Sequence, residues 1–137
     1  MQPVTIVLVE DDPGHARLIE KNIRRAGVNN EITHFESGTA GLEYLLSNGN
    51  APTLVLLDLN LPDMSGTQIL EKLKSNSGTK HIPIIVLTTT DDKMEIQKCY
   101  DLGCNDYITK PVDYEAFATA IRQLGLFLSV MKVPDPT

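Results

Sequence analysis

Five short apolar runs alternate with segments of helical period along the chain, and that alternation leaves few folds open. The runs are Thr5–Val9, Glu31–Phe35, Leu54–Leu57, Ile84–Leu87 and Asp106–Thr109. The first, third and fourth are almost wholly apolar, as suits parallel strands covered on both faces. The second and fifth are more polar and read as edge or near-edge strands. Helical spacing fills the gaps. Asp12 and Pro13 open the first helix, which sets Ala16, Ile19, Ile23 and Ala26 on one face before Gly27 stops it. The second begins at Ser37 and packs Leu42, Leu45 and Leu46. The third follows Asp63-Met64-Ser65-Gly66 and turns Ile69, Leu70 and Leu73 inward. The fourth carries Ile96, Cys99 and Tyr100 and stops near Gly103. The fifth starts after Asp113 and shows Phe117, Ala120, Ile121, Leu124 and Leu128 at helical spacing. Strict β–α alternation predicts an α/β fold, a doubly wound parallel sheet with right-handed crossovers and helices on both faces. One domain is expected over residues 1–137, with flexible ends at 1–3 and 134–137.

At 137 residues and 42% hydrophobic, the chain can bury one proper core. Its formal net charge of −6 argues against a grip on nucleic acid, which needs clustered Lys and Arg. No signal-peptide pattern and no apolar stretch of membrane-spanning length is present, so a soluble cytoplasmic protein is expected, with no membrane partner. Cys99 and Cys104 lack the further soft ligands that zinc would want, since His15, His34 and His81 are scattered in sequence. They read as packed thiols, one on a helix and one after its end.

The strand ends hold the chemistry. The first run ends in Glu10-Asp11-Asp12, the third in Asp58 with Asn60 two residues on, the fourth in Thr88-Thr89-Thr90, and the fifth in Thr109-Lys110-Pro111. Neighbouring carboxylates repel and resist desolvation, so such a cluster calls for a divalent cation and then a phosphoryl group. Asp11 and Asp58 are 47 residues apart and Thr88 and Lys110 are 22 apart, yet a parallel sheet gathers all four at its C-terminal edge. Three carboxylates supply the hard oxygens that Mg²⁺ accepts. Asp58 can then attack phosphorus and form an acyl phosphate, while Lys110 and the Thr88 hydroxyl meet the transferred oxygens. Asp12 reads as a helix cap. Lys110 taken alone would be an ordinary surface lysine; a cis bond to Pro111 would aim it into the cleft, although X-Pro bonds are mostly trans.

Glu10-Asp11-Asp12-Pro13, Leu56-Leu57-Asp58-Leu59-Asn60-Leu61-Pro62-Asp63-Met64-Ser65-Gly66, Val86-Leu87-Thr88-Thr89 and Tyr107-Ile108-Thr109-Lys110-Pro111 together resemble the receiver domain of two-component response regulators. The resemblance covers nearly the whole chain, in order. It implies a flavodoxin-like (βα)5 sheet in the order 2-1-3-4-5 and phosphorylation of Asp58 by a sensor histidine kinase. It also implies Mg²⁺ held by Asp11, Asp58 and the Asn60 carbonyl, with Glu10 acting partly through water. Thr88 and Tyr107 match the family's switch pair. Thr90 lies where the family varies its dephosphorylation rate, but a hydroxyl is no strong base, and it receives no catalytic task. The stretch Cys99–Asp113 resembles stand-alone receivers that partner bacterial phytochromes, which makes a phytochrome-type kinase the expected donor. The expected protein is a phosphoacceptor with self-catalysed phosphorylation and dephosphorylation, not a classed enzyme. Output is expected through a downstream protein target or a phosphotransfer protein.

Beyond the core stripe of the last helix, Leu126, Phe127, Val130 and Val133 form a second apolar stripe, which predicts a homodimer interface. The alternative is a bend at Gly125 that folds these residues back on their own subunit. Two rival functions share parts of the pattern. A haloacid dehalogenase-type phosphatase also uses a strand-end Asp with Mg²⁺, but wants a second Asp where this chain has Asn60. A flavin carrier of flavodoxin shape wants Ser, Thr and Gly amides after the first strand, where this chain has Glu10-Asp11-Asp12.

Overall fold

The computed structural model describes residues 4–48 and 51–123. Strands β1 (Thr5–Val9), β2 (Ile32–Phe35), β3 (Thr53–Asp58), β4 (Ile84–Thr88) and β5 (Asp106–Thr109) alternate with helices α1 (Pro13–Arg25), α2 (Gly38–Ser47), α3 (Gly66–Ser75), α4 (Lys93–Asp101) and α5 (Tyr114–Gln123). The sheet runs β2-β1-β3-β4-β5, and every pairing is parallel. This is the flavodoxin-like order that the family resemblance implies. The order reverses between β1 and β3, and ligand crevices open at such switch points.

Alternate residues of each strand feed two separate cores. Ile6, Leu8, Leu54, Leu56, Ile85, Leu87 and Ile108 face α1 and α5, where they meet Ile19, Ile23 and Phe117. Val7, Val9, Val55, Leu57, Ile84 and Val86 face the other way and meet Leu45, Ile69, Leu70, Leu73 and Cys99. Fully burying such a side chain contributes about 1.5–3 kcal/mol, so the two layers together hold the sheet between the helices. The central strand β3 is buried at all six positions. β2 is only half-buried throughout, as an edge strand should be.

β3 and β4 run one residue past their apolar runs. The ladder pairs Asp58 with Leu87 and Thr88 with Thr109, which makes both polar residues the last rungs of the sheet. Their backbones are therefore fixed by sheet hydrogen bonds rather than by loops.

The caps follow the sequence closely. Asp12 accepts the His15 amide at 3.0 Å, Ser37 accepts that of Ala40 at 3.2 Å, and Asp113 accepts that of Ala116 at 2.7 Å. Ser65 and Gln68 close a reciprocal capping box on α3. α1 ends where Gly27 turns to φ 90°, and α4 ends at Gly103 with φ 107°, conformations that a side chain would strain.

Two expected core residues lie outside the core. Leu46 is 43% exposed, because the buried stripe of α2 runs through Leu42 and Leu45 and the next position turns to solvent. Tyr100 is also 43% exposed; α4 buries Cys99 in its last turns, and the Tyr100 hydroxyl reaches Asp106 at the surface, 3.4 Å away. Cys99 and Cys104 are both buried free thiols. The side chain of Ile121 and residues Leu124, Leu126, Phe127, Leu128, Val130 and Val133 lie outside the described residues, as do the expected flexible ends at 1–3 and 134–137. Among the described residues, no helix is long and apolar enough to cross a membrane.

Candidate functional site

Carboxylate oxygens of Glu10, Asp11 and Asp58 come within 4.8 Å of one another at the C-terminal ends of β1 and β3. Glu10 is fully buried and Asp58 is 3% exposed; Asp11 sits half-buried between them and solvent. The main chain of Glu10 is held on both sides. Its amide donates to the Phe35 carbonyl at 3.0 Å, and its carbonyl lies 2.7 Å from Nε2 of His34. Its carboxylate accepts the Asp12 amide at 3.2 Å.

Asp58 is fixed through both oxygens. Oδ1 accepts the Asn60 amide at 3.0 Å, and Oδ2 accepts from Nζ of Lys110 at 3.0 Å. Lys110 also donates to Oε1 of Glu10, so one ammonium bridges the two buried acids. The Lys110 amide donates to the Thr88 carbonyl at 2.8 Å, which anchors the stem of the side chain to the end of β4. The Lys110–Pro111 peptide bond is cis.

The electrostatics follow from this crowding. Burial, reinforced by the hydrogen-bonded Asp58 carboxyl, pushes Glu10 above the ordinary carboxylate range, and Lys110 offsets only part of that rise. For Lys110, burial alone would favour the neutral amine. Its hydrogen bonds to Glu10 and Asp58 outweigh that and hold it above the usual lysine value. Three carboxylates around a single lysine leave negative charge to be compensated. The donor set is all hard oxygen, with no thiolate among the three, and therefore fits a Mg²⁺- or Mn²⁺-type cation. Beside Asp11 and Asn60 a groove of about 660 Å³ opens toward Met64, Glu95 and Lys98, wide enough for an ion and a phosphate to enter.

Thr88 and Tyr107 are joined through a third residue. Thr88 is buried at the end of β4 and its hydroxyl accepts the Thr90 amide at 3.2 Å. The Tyr107 hydroxyl donates to the Thr90 carbonyl, while its ring packs against the core layer of α2, α3 and α4. Thr90 thus contributes its main chain to this link, and its hydroxyl is turned to the Asp92 amide at 3.1 Å.

The β3–α3 loop is braced in two ways that the sequence did not reveal. Asp63 accepts the amides of Gly38 at 2.9 Å and Thr39 at 2.8 Å, and the Ser37 hydroxyl at 3.0 Å. The two amides belong to the first turn of α2, whose N–H groups have no partner within the helix. These contacts hold the Asp63 carboxyl well below the ordinary carboxylate range, those of Thr39 foremost. At Gly66, a Cβ would stand 2.5 Å from the Asp58 carbonyl and 2.6 Å from Cα of Leu59. Only glycine lets α3 start this close to the strand that carries Asp58.

With the geometry established, the comparisons with known proteins agree with it. The response regulator receiver domain model matches residues 6–122. The chain belongs to that family. This receiver domain is 64% identical to the crystal structure of a response regulator receiver domain from Rhodospirillum rubrum, with TM-score 0.76 over 96% of this chain and 97% of that one. It is 34% identical to the bacteriophytochrome response regulator RtBRR, with TM-score 0.84 over 99% of this chain and 86% of that one. It is also 34% identical to the probable methanogenesis regulatory protein FilR2 of Methanothrix harundinacea, over 89% of this chain and 81% of that protein. Receiver domains are signalling phosphoacceptors of two-component systems, and the acidic cluster here is of the kind at which they bind divalent cations. The dehalogenase-type phosphatase reading finds no support.

The fold gathers Glu10, Asp11, Asp58 and Lys110 as the strand-end pattern required, and links Thr88 to Tyr107 by way of Thr90. His15, His34 and Asp63 are polar side chains around the site whose contacts no sequence motif singles out.

Proposed function

We propose that this receiver domain accepts a phosphoryl group on Asp58. The observation that carries the reading is the state of that carboxylate: nearly buried, held by an amide on one oxygen and an ammonium on the other, and flanked by two further acids. One Asp58 oxygen attacks phosphorus. The new O–P bond forms as the N–P bond of a phosphohistidine breaks, and the bonding pair leaves with the imidazole nitrogen, which takes up a proton. Lys110, already on Asp58, is placed to neutralise charge on the incoming oxygens, and the Thr88 hydroxyl to donate to one of them.

Glu10, Asp11, Asp58 and the Asn60 carbonyl would hold Mg²⁺, which when bound supplies charge neutralisation between the acids and the phosphoryl oxygens. Switching in this reading runs through Thr90: drawing the Thr88 hydroxyl toward the phosphoryl group strains its bond to the Thr90 amide, and Tyr107 hangs on the Thr90 carbonyl. The two states need differ by only a few kcal/mol.

A sensor histidine kinase of the phytochrome type is the proposed donor, supported by the likeness to RtBRR over nearly the full chain. The readout is proposed to be a protein target or a phosphotransfer protein rather than nucleic acid, given the net charge of −6. Residues 1–137 are proposed to form one receiver unit in the cytoplasm. The apolar stripe Leu126, Phe127, Val130 and Val133 is proposed as a homodimer interface; sedimentation of Phe127→Asp should show half the parent mass, and an unchanged mass removes the dimer. The phosphoacceptor itself is tested by intact-mass measurement after incubation with acetyl phosphate and Mg²⁺. The parent should gain one phosphoryl group that hydroxylamine removes, and Asp58→Asn should gain none. Equal labelling of Asp58→Asn would move the acceptor elsewhere.

A further inference from the structure

His15 stands in the first turn of α1, half exposed, at the rim of the acid cleft. Its Nδ1 lies 3.4 Å from Nζ of Lys110 and 3.9 Å from Oε1 of Glu10. An ammonium has three donors and no acceptor, and here it meets three partners: Glu10, Asp58 and His15. The two acids pull Nζ toward the buried end of the cleft. Among the described residues, His15 is the third hydrogen-bond partner of that nitrogen. With the ammonium donating, the tautomer that carries its proton on Nε2 leaves Nδ1 as the acceptor. The helix supports that geometry from below, because the His15 amide is spent on the Asp12 cap and the first turn cannot rotate without breaking it. His15 and Lys110 together line a hollow of about 260 Å³ with Leu18, Ile19, Thr89, Pro111 and Val112, so the imidazole and the lysine stem share one wall beside the acids.

We infer that His15 is a positioning residue for Lys110, its ring nitrogen holding the ammonium as a third partner alongside the Glu10 and Asp58 carboxylates, beside the oxygens a phosphoryl group on Asp58 would present. The inference rests on the phosphoacceptor reading for its consequence but not for its geometry. With acetyl phosphate as donor, the Asp58 oxygen bonds to phosphorus as the P–O bond to acetate breaks and acetate leaves with the electron pair. Lys110 contributes only if its ammonium is already beside the oxygens of the transferred group.

The test uses three variants of the whole chain and two readouts. His15→Phe keeps a ring and removes the acceptor; His15→Asn puts an oxygen near the place of Nδ1; Lys110→Ala removes the group acted on. The first readout is the NMR resonance of the Lys110 ε-methylene and ammonium in protein without divalent cation. It should shift in His15→Phe and return toward the parent position in His15→Asn. The second is the rate of phosphorylation by acetyl phosphate with Mg²⁺. His15→Phe should slow it about threefold to tenfold, the size of one ordinary hydrogen bond, and His15→Asn should recover most of the rate. In a Lys110→Ala background, His15→Phe should cause no further loss, since a residue acting through Lys110 has nothing left to act on. A Lys110 resonance unmoved in His15→Phe overturns the inference, as does an equal slowing with and without Lys110. Should the parent take up no phosphate while the resonance still shifts, the phosphoacceptor reading fails and the positioning of Lys110 stands.

Discussion

Nζ of Lys110 lies 3.0 Å from Oδ2 of Asp58, across 52 residues of sequence, and the same nitrogen bonds to Glu10. A single cation thus stands between two acids that the core has almost closed off from water. The stability of the domain and its reactivity meet at this point.

Because Asp58 raises the burden on Glu10, its removal should stabilise the protein when no divalent cation is present. Asp58→Asn keeps the shape and an acceptor for the Asn60 amide, and leaves Glu10 as the carboxylate bonded to Lys110. A gain of about 1–2 kcal/mol is expected from the lost repulsion, read as a melting temperature higher by several degrees in the presence of a chelator. Saturating Mg²⁺ should stabilise the parent more than the variant, and a parent that melts above Asp58→Asn in chelator would contradict this picture of the cluster.

Gly66→Ala tests the approach of α3 to β3. The added methyl would meet the Asp58 carbonyl and the Leu59 backbone, neither of which can swing away as a flexible side chain could. A loss of about 1–3 kcal/mol is expected, with slower phosphorylation in the fraction that folds because the displaced backbone carries Asp58. Urea denaturation measures the first effect and acetyl phosphate labelling the second.

Asp63 links stability to pH. Its folded carboxyl is held below the ordinary value of 3.8 by the Thr39 hydroxyl first, then by the Thr39 and Gly38 amides, with a smaller share from the Ser37 hydroxyl. Its contribution is fully present above that ordinary value and is lost as pH falls through the lower folded one. Asp63→Asn should therefore narrow the stability difference between neutral and strongly acidic solution, read from melting temperatures across that range. Parallel acid profiles for parent and variant would show that the Asp63 contacts carry no linkage.

The layout of the sheet was readable because the three central strands are almost continuous apolar runs and the helix caps sit at fixed offsets from them. Asp12, Ser37 and Asp113 each cap the helix that the sequence assigned to them. The four strand-end motifs placed the acids and Lys110, since parallel topology leaves one edge for all of them. What sequence could not supply were contacts between residues far apart that no periodicity records. Asp63 reaches back 25 residues to Gly38, and His34 reaches 24 residues to the Glu10 carbonyl. Leu46 and Tyr100 are exposed for a related reason: an apolar residue beside a buried stripe reads as part of it until the helix is set against its sheet.

The central claim is that Asp58 takes phosphorus in a cleft gathered from four strand ends. A crystal grown with Mg²⁺ and beryllofluoride tests it most directly. The account predicts beryllofluoride bonded to an Asp58 oxygen, Lys110 in contact with its fluorines, the Thr88 hydroxyl turned toward it, and a cation among Glu10, Asp11 and Asp58. Well-ordered density with no beryllofluoride on Asp58, and Lys110 still bridging Glu10 and Asp58, would contradict it.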